Sequence, residues 1–465
     1  MIVMKFGGTS TKDAAAMLNV TEIVKSRTSK NPVVVISAIA QATNQLETMG
    51  SLSKSNKAAE AKKVLKYFID EHLAIVETVG LKPDTQDKIR TKIFSYSEEI
   101  LEIITGVSIL RELTPQTLDR FYSYGELLSS YIISEVMKEN GIDTVWLDTK
   151  DFMVTDNTFT EAKPNMPVVE EKLRPLALKL IEEKKVIVTQ GFIGVTPTGE
   201  RTTMGRESSD FSAAVIGAVL DVDDVQIWTD VDGVLSGDPN IIEHPKKIKE
   251  LSFEEAFQLS LFGAKVLHPN TMIPAAEKNI PIHVYNSKRP KISGTLISNT
   301  SSSSATSDSI IKSVTYKSQV SLLNIKPTNR FSPYIFWENI FSILNKYKVV
   351  PIVTSTSEYQ FAVAIETKYM LDSIKTELST LGEVEELGNL CLISLMGQKI
   401  NHNSTIVQNV FSVLSSIKFH FISFGASEMS MSILINEEDT KPVVRSIHKL
   451  FFEGETDSKI FEEIR

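Results

Sequence analysis

The sequence predicts an α/β protein: a largely parallel central sheet with helices on both faces, followed by two small ferredoxin-like α+β modules. Three observations carry this prediction. Apolar runs such as Val33 to Ile36, Val186 to Val188 and Val225 to Trp228 alternate with helical patterns across the first two thirds of the chain, the alternation that builds a parallel sheet covered by helices. The stretch SNTSSSSATSDS, Ser298 to Ser309, has no apolar period and reads as a flexible linker. Beyond it the chain repeats itself. FSILNKYKVVPIVTSTSEYQFAVAI from Phe341 aligns without gaps on FSVLSSIKFHFISFGASEMSMSILI from Phe411, with Phe341/Phe411, Ser357/Ser427, Glu358/Glu428 and Ile365/Ile435 among the identities. Each copy reads strand, helix, strand, strand, helix. The expected boundaries are 1–297, the linker 298–309, 310–385 and 386–465, with the C-terminal segment a candidate for interleaving the last two.

Each element has a local reason. Met1 to Phe6 is a short buried strand, Gly7-Gly8 must turn, and Thr9 to Lys12 offers cap residues for a helical pattern from Asp13 to Arg27. Glu126, in SYGELLSS, falls in the expected first turn of an amphipathic helix reaching about Asn140, where the helix dipole alone accounts for an acid. TPTGE reads as a hairpin turn, and Ser208-Ser209-Asp210 as the start of a helix running to about Leu220. Ser252 and Glu255 form a capping box for the next helix.

At 465 residues the chain exceeds one hydrophobic core, so two or more domains are expected. A formal net charge of -9 argues against a nucleic-acid or anionic-membrane partner. Cys391 is the only cysteine, which excludes internal disulfides and cysteine-rich zinc sites. No apolar run approaches the roughly 20 residues of a membrane span, and the N-terminus lacks the layout of a signal peptide. A soluble, cytoplasmic protein is expected.

Lys5 is the residue that asks for chemistry. A lysine ending a buried strand ordinarily snorkels to water. Ahead of two glycines and a helix start it also suits a phosphate, because glycines let backbone approach an anion and helix-start N–H groups point at it. The order of residues matches neither a P-loop nor a dinucleotide fingerprint. Ligands in open parallel sheets bind beyond the carboxyl ends of strands. Ser37 and Thr43 follow one such end, GFIG with Phe192 follows another, and Thr229-Asp230 closes a third. Arg206 offers a fork suited to a carboxylate just ahead of the helix start at Asp210; alone, Asp210 reads as a cap or first-turn acid. TDVDGVLSGDP fails the calcium-loop rule, since Gly233 at the glycine position puts Trp228 at position 1. Lys265 in FGAKVLHP reads by itself as a surface lysine near a helix end. The histidines show no zinc-protease spacing, and no nucleophile elbow occurs.

Taken together, KFGGTS from Lys5, MGRESSDFSAA, WTDVDGVLSGDP and FGAKVLHP occur in the order and approximate spacing of aspartate kinases, of the amino-acid-kinase superfamily, and ISFGASEMSMSILI resembles the second ACT module of their regulatory region. The likeness covers nearly the whole chain, dense from about Val186 to Ser287 and thin from Ser51 to about Leu113. It implies an amino-acid-kinase-like sandwich followed by two ACT modules. It also implies transfer of ATP's γ-phosphoryl group, with Mg²⁺ bridging ATP oxygens, to the side-chain carboxylate of L-aspartate at the entry to lysine, threonine and methionine synthesis. By position, Lys5, Gly7, Gly8 and Ser10 would bracket the transferred phosphoryl group, with Asp210 orienting cationic side chains. Ser37, Thr43, Glu126, Arg206 and Ser209 would hold aspartate, Arg206 on its α-carboxylate and Glu126 toward its ammonium. Phe192, Thr229, Asp230, Leu235, Asn240 and Lys265 would line the nucleotide site.

The chemistry agrees with this inventory. A carboxylate nucleophile is ionised at neutral pH, so no general base is required, and the obstacle is repulsion between two anions. Some positions depart from the family pattern. Glu207-Ser208 replace a glycine pair, Ala40-Gln41-Ala42 stands where many relatives have a glycine, Leu235 stands where tyrosine is common, and Asn240 replaces an arginine. In the first ACT module Ile352 occupies the position of an acid found in lysine-responsive relatives, and NRFSPYIFWENIF replaces a glycine turn. Feedback by lysine, threonine or both, and a homodimer paired through the modules, are what the resemblance implies. A glutamate-type carboxylate kinase and a non-catalytic amino-acid sensor are the competing readings.

Overall fold

The computed structural model describes residues 1–205, 208–263, 267–299, 310–328, 333–357, 360–454 and 457–463. In chain order the elements are β1 (Ile2–Phe6), α1 (Ala14–Lys25), β2 (Pro32–Ile36), α2 (Ala42–Lys54), α3 (Ala58–Thr78), α4 (Pro83–Leu110), α5 (Pro115–Glu139), β3 (Thr144–Trp146), α6 (Met166–Glu182), β4 (Val186–Gln190), β5 (Ile193–Val195), β6 (Arg201–Thr203), α7 (Ser209–Leu220) and β7 (Asp224–Thr229). They continue with β8 (Lys246–Ile248), β9 (Glu250–Ser252), α8 (Phe253–Leu261), α9 (Pro269–Glu277), β10 (Ile282–Asn286), β11 (Thr295–Ser298), β12 (Ile310–Pro327), α10 (Pro333–Lys346), β13 (Val353–Ser357) and β14 (Gln360–Glu366). The chain ends with α11 (Leu371–Leu378), β15 (Gly382–Gln398), α12 (Ser404–Val413), β16 (Phe419–Phe424), β17 (Ser430–Asn436), α13 (Thr440–Phe452) and β18 (Phe461–Glu463). Among the described residues no helix is long and apolar enough to cross a membrane.

Two compact units result: Met1–Gly233 with Asn270–Asn299, and Val234–Pro269 with Thr300–Arg465. The division differs from the sequence-drawn boundary at 297/298, because Val234–Pro269 groups with the C-terminal part. Within the first unit the strand order is β3-β4-β2-β1-β7-β10-β11. All neighbours in it run parallel except the β10–β11 pair. Side chains alternate across a strand. Ile2, Met4 and Phe6 of β1, with Val34 and Ile36 of β2, therefore enter one core with α1 to α5. Val3 points the other way, toward α7, whose Gly217 lets the helix approach: a Cβ there would stand 2.7 Å from Val225 Cγ2. Lys5 shares the face of Val3.

Two local readings are corrected. The cap of α1 is Asp13, whose carboxylate accepts from Ala16 N–H at 2.8 Å, while Gly8–Ser10 forms a 3₁₀ turn ahead of it. Glu126 is not in a first turn. Thr114 caps α5, accepting from Thr117 N–H at 3.1 Å, and Pro115 opens the helix, about three turns earlier. Dipole complementarity therefore does not explain Glu126.

In the second unit the modules share one antiparallel sheet of order β13-β14-β12-β15-β17-β16. Its spine is the long β12–β15 pair, from Ile310↔Gln398 to Pro327↔Gly382. The expected strand-helix-strand-strand-helix order holds in both copies. The 385/386 boundary falls inside β15, however, and the C-terminal β18 pairs with β8, Phe461 opposite Ile248, rather than interleaving the modules. Ser298 ends β11; residues 300–309 of the expected linker, and Glu358 of the repeat, lie outside the described residues.

Candidate active site

Parallel strands β1, β2, β4 and β7 end together, so the loops that follow them gather at one edge of the sheet. Register makes this concrete: Phe6 lies opposite Ile36 and Trp228, and Ile36 opposite Gln190. Lys5, one residue before the end of β1, lies on the α7 face, and its Nζ stands 2.7 Å from Asp210 Oδ1 in the first turn of α7. Both side chains are largely buried, at 12% and 15% exposure. An ion pair this enclosed holds the ammonium in place while leaving it donors to spare.

The backbone beside this pair is packed tightly enough to require glycine at two places. Gly8 lies so close to the loop after β2 that a Cβ on it would sit 2.6 Å from Ala38 O, and its carbonyl accepts from Ala40 N–H at 3.2 Å. A Cβ on Gly191 would stand 2.6 Å from Ser209 Cβ, so the loop after β4 lies against the start of α7. Gly7 is less constrained; its Cβ would meet Lys5 Nζ at 3.7 Å, an ordinary contact. Phe192 follows with a left-handed φ of 67°. Its N–H donates to Ser212 Oγ at 2.8 Å, and its ring packs against Tyr122 at 6.0 Å.

Glu126 is 3% exposed on α5. Burial pushes its carboxyl up to about 8, opposed by the Ala38 N–H and by the charge of Lys5. Its Oε2 is buried with no hydrogen-bond partner. An orphaned carboxylate oxygen in such a place is costly unless a cation completes it. Ser37 N–H donates to Phe6 O at 3.2 Å, and Ser37 O accepts from Ser129 Oγ at 2.8 Å. Thr43 lies half-buried in the first turn of α2.

The end of β7 is tied to residues that the sequence reading passed over. Ser287 donates its N–H to Thr229 O at 2.7 Å, shares a hydrogen bond with Ser10 Oγ at 2.8 Å and accepts from Asn19 at its carbonyl at 2.6 Å. Ser10 is thus engaged in joining loops. Asp230 stands 4.0 Å from Lys288 Nζ, and Asp232 pairs with Arg289 and accepts from Asn286 at 2.7 Å. Ser287 follows β10, IHVYN, whose alternating burial gives no continuous apolar run for the eye to catch. Asp119, wholly buried on α5, was also missed: it accepts from Thr160 N–H and Thr203 N–H at 2.8 and 2.9 Å and fixes β6.

In the second unit, Leu235 O accepts from Ser313 Oγ at 3.0 Å, and Asn240 donates through N–H and Nδ2 to Asp238 Oδ1, both at 2.8 Å. Arg206 and Lys265 lie outside the described residues. The structure thus brings Lys5, Gly7, Gly8, Ser10, Asp210, Ser209 and Glu126 to one end of the sheet.

Comparison with known proteins gives the family of the chain. Residues 1–286 match the model of the amino acid kinase family, and residues 393–451 that of an ACT domain. The chain is 32% identical to aspartokinase 1, chloroplastic, of Arabidopsis thaliana, over 97% of this chain and 80% of that one. It is 31% identical to lysine-sensitive aspartokinase 3 of Escherichia coli K12, over 97% and 99%. Among solved structures, E. coli aspartokinase III in complex with aspartate and ADP (R-state) superposes with a TM-score of 0.86 at 31% identity, covering 97% of this chain and all of that one. The same enzyme in complex with lysine and aspartate (T-state) gives 0.79 at the same identity, covering 97% and 99%.

Proposed function

The chain belongs to the aspartokinase family of amino acid kinases, and from that premise we propose that it phosphorylates the side-chain carboxylate of L-aspartate with ATP, giving 4-phospho-L-aspartate. The observation that carries this reading is the Lys5–Asp210 pair at 2.7 Å, in the same strand-end site as the orphaned Glu126 carboxylate. One end serves a transferring phosphoryl group, the other an amino acid's ammonium.

The step needs little covalent chemistry from the protein. A carboxylate oxygen of aspartate forms the new O–P bond while the bond from the γ-phosphorus to the β,γ-bridging oxygen breaks and its electron pair leaves on ADP. Lys5 supplies positive charge where the two anions meet, and Asp210 fixes it before they arrive, so no reorganisation is needed at the moment of transfer. Gly7 and Gly8 let an anion approach the backbone without a side chain in the way, the Gly7 N–H itself being held by Trp228 O at 3.2 Å. Glu126 receives the aspartate ammonium and Arg206 its α-carboxylate, with Ser37, Thr43 and Ser209 shaping the pocket. Phe192, Thr229, Asp230, Leu235, Asn240 and Lys265 serve the nucleotide. Mg²⁺ would enter with ATP and would neutralise phosphate charge.

The same reading makes this the first step toward lysine, threonine and methionine, in the cytoplasm, by a homodimer joined through its ACT modules. An end-product amino acid, lysine or threonine, binds those modules. Ile352 supplies no charge for a lysine ammonium, so inhibition by each amino acid, singly and mixed, identifies the effector.

The test is direct. Incubation with Mg-ATP and aspartate in hydroxylamine yields aspartyl hydroxamate if the acyl phosphate forms. Hydroxamate from glutamate but not aspartate overturns the substrate assignment, and none from either overturns the kinase.

A further inference from the structure

The loop Val234–Ile242 carries Leu235 and Asn240, yet it belongs to the unit that holds both ACT modules. Its fastenings within that unit are polar and specific. Asp238 uses both carboxylate oxygens: Oδ1 accepts from Asn240, as above, and Oδ2 accepts from Tyr316 OH at 2.9 Å. Tyr316 stands on β12, opposite Ile393 of β15, in the spine of the regulatory sheet. Close by on the same strand, Ser313 Oγ donates to Leu235 O, and Val314 N–H donates to Ser236 O at 2.8 Å. From the second module, His448 of α13 shares a hydrogen bond with Ser236 Oγ at 2.8 Å, and Arg445 donates to Ile241 O at 3.0 Å. Gly237 permits that approach, since a Cβ there would stand 2.9 Å from Ile242 Cγ1 and 3.2 Å from His448 Cδ2.

We propose that Tyr316 is a positioning residue for the nucleotide: acting through Asp238, it sets the placement of Asn240, so that the shape of strand β12 is read out as nucleotide affinity. The inference rests on the assignment of Leu235 and Asn240 to the nucleotide. Asn240 and Tyr316 share one carboxylate. A carboxylate held on one oxygen by a phenol can turn only slightly, and the asparagine bonded to the other oxygen turns with it. Burial, and after it the hydrogen bond to Asp238, hold the Tyr316 phenol up at about 12, so it donates throughout the working pH range. Any rearrangement of the sheet that moves β12 therefore reaches the nucleotide loop without leaving the unit.

The experiment uses the full-length protein. Tyr316→Phe keeps the ring and removes the donor. It is expected to raise KM for ATP and Kd for Mg-ADP by about three- to tenfold, the range expected for one lost hydrogen bond. The kcat and KM for aspartate stay within about twofold. Asp238→Asn keeps the side-chain shape and reads the same link should Tyr316→Phe lose its cooperative melting transition. Asn240→Ala separates the layers. If Asn240→Ala weakens Mg-ADP binding while Tyr316→Phe and Asp238→Asn leave it unchanged, the coupling is wrong and the nucleotide assignment stands. If Asn240→Ala also leaves Mg-ADP binding unchanged, the assignment fails and the inference with it. Equal rises in KM for both substrates mean a merely structural role and overturn the proposal.

Discussion

Lys5 Nζ and Asp210 Oδ1 stand 2.7 Å apart, although one residue lies next to the end of the first strand and the other in the first turn of α7. The pair ties β1 to the start of α7, and it sets what each residue does in the proposed reaction. With Asp210 in place the ammonium is oriented before substrate binds; without it, a largely buried lysine has lost its counter-charge. Asp210→Ala is therefore expected to lower kcat by about tenfold to a hundredfold, somewhat less than loss of the lysine itself. Hydroxamate formation at saturating ATP and aspartate measures it, and a kcat within twofold of the parent contradicts the positioning role.

The two glycines of the same turn are not equivalent. A methyl on Gly8 would enter the Ala38 carbonyl at 2.6 Å, whereas one on Gly7 meets the end of Lys5 at 3.7 Å and Trp228 O at 3.9 Å, both ordinary contacts. Backbone cannot yield as a flexible side chain does. Gly8→Ala should cost at least about tenfold in kcat/KM, or about 1.4 kcal/mol, and Gly7→Ala clearly less. Steady-state kinetics on the two variants decide this, and the reverse order contradicts the geometry.

If Glu126 receives the aspartate ammonium as proposed, its raised carboxyl makes both substrate binding and stability depend on pH. Its carboxyl, raised to about 8, is mostly protonated in the free protein at pH 7, and an ammonium delivered to it favours ionisation. Aspartate binding at pH 7 should then release close to one proton, falling toward zero by about pH 9. Titration calorimetry in two buffers of different ionisation enthalpy measures the release. Buffer-independent heats, or unchanged release in Glu126→Gln, contradict it. For stability the sign follows from the folded protein binding more protons than the unfolded chain between the ordinary carboxylate range and about 8. The Glu126 contribution is fully present below that window and is lost as pH rises through it, so Glu126→Gln should flatten the fall in melting temperature.

In the second unit, Lys312 Nζ stands 2.6 Å from Glu255 Oε1, and both side chains are at most 3% exposed. Burial holds the Lys312 ammonium below its ordinary range despite the carboxylate. Glu255 also receives Gln398 Nε2 at 2.9 Å and closes the cap of α8. Removing one partner strands a buried charge. Glu255→Ala should cost about 3–5 kcal/mol, whereas Glu255→Leu with Lys312→Met should recover the part due to the stranded ammonium but not the Gln398 bond or the cap. Chemical denaturation of the three proteins checks this; equal losses in single and double variants contradict it.

Much of this was legible in the sequence where local rules act. Strand ends, the turn at Gly7-Gly8, the start of α7 at Ser209 and the capping box at Ser252 all follow from residues within a turn of one another. The repeat disclosed the paired modules because both copies answer to one packing problem. The illegible parts depend on distant partners. Glu126 reads as a first-turn acid, yet its helix is capped by Thr114 and opened by Pro115 well upstream, and its burial depends on the distant loop after β2, whose Ala38 N–H reaches it. Ser287 and Asp119 act by joining segments far apart in sequence, and no periodicity marks them. That Val234–Pro269 belongs with the ACT modules rests on contacts to β12, α13 and β18, none of them near in the chain.

The role of Lys5 in phosphoryl transfer is decided by the turnover of Lys5→Ala, followed as hydroxamate from aspartate and Mg-ATP, with the melting transition recorded alongside. Its kcat is expected to fall at least about a hundredfold, the loss of one preorganised donor worth roughly 3 kcal/mol, with KM for aspartate changed far less. A folded Lys5→Ala protein that turns over at near the parent rate would contradict it.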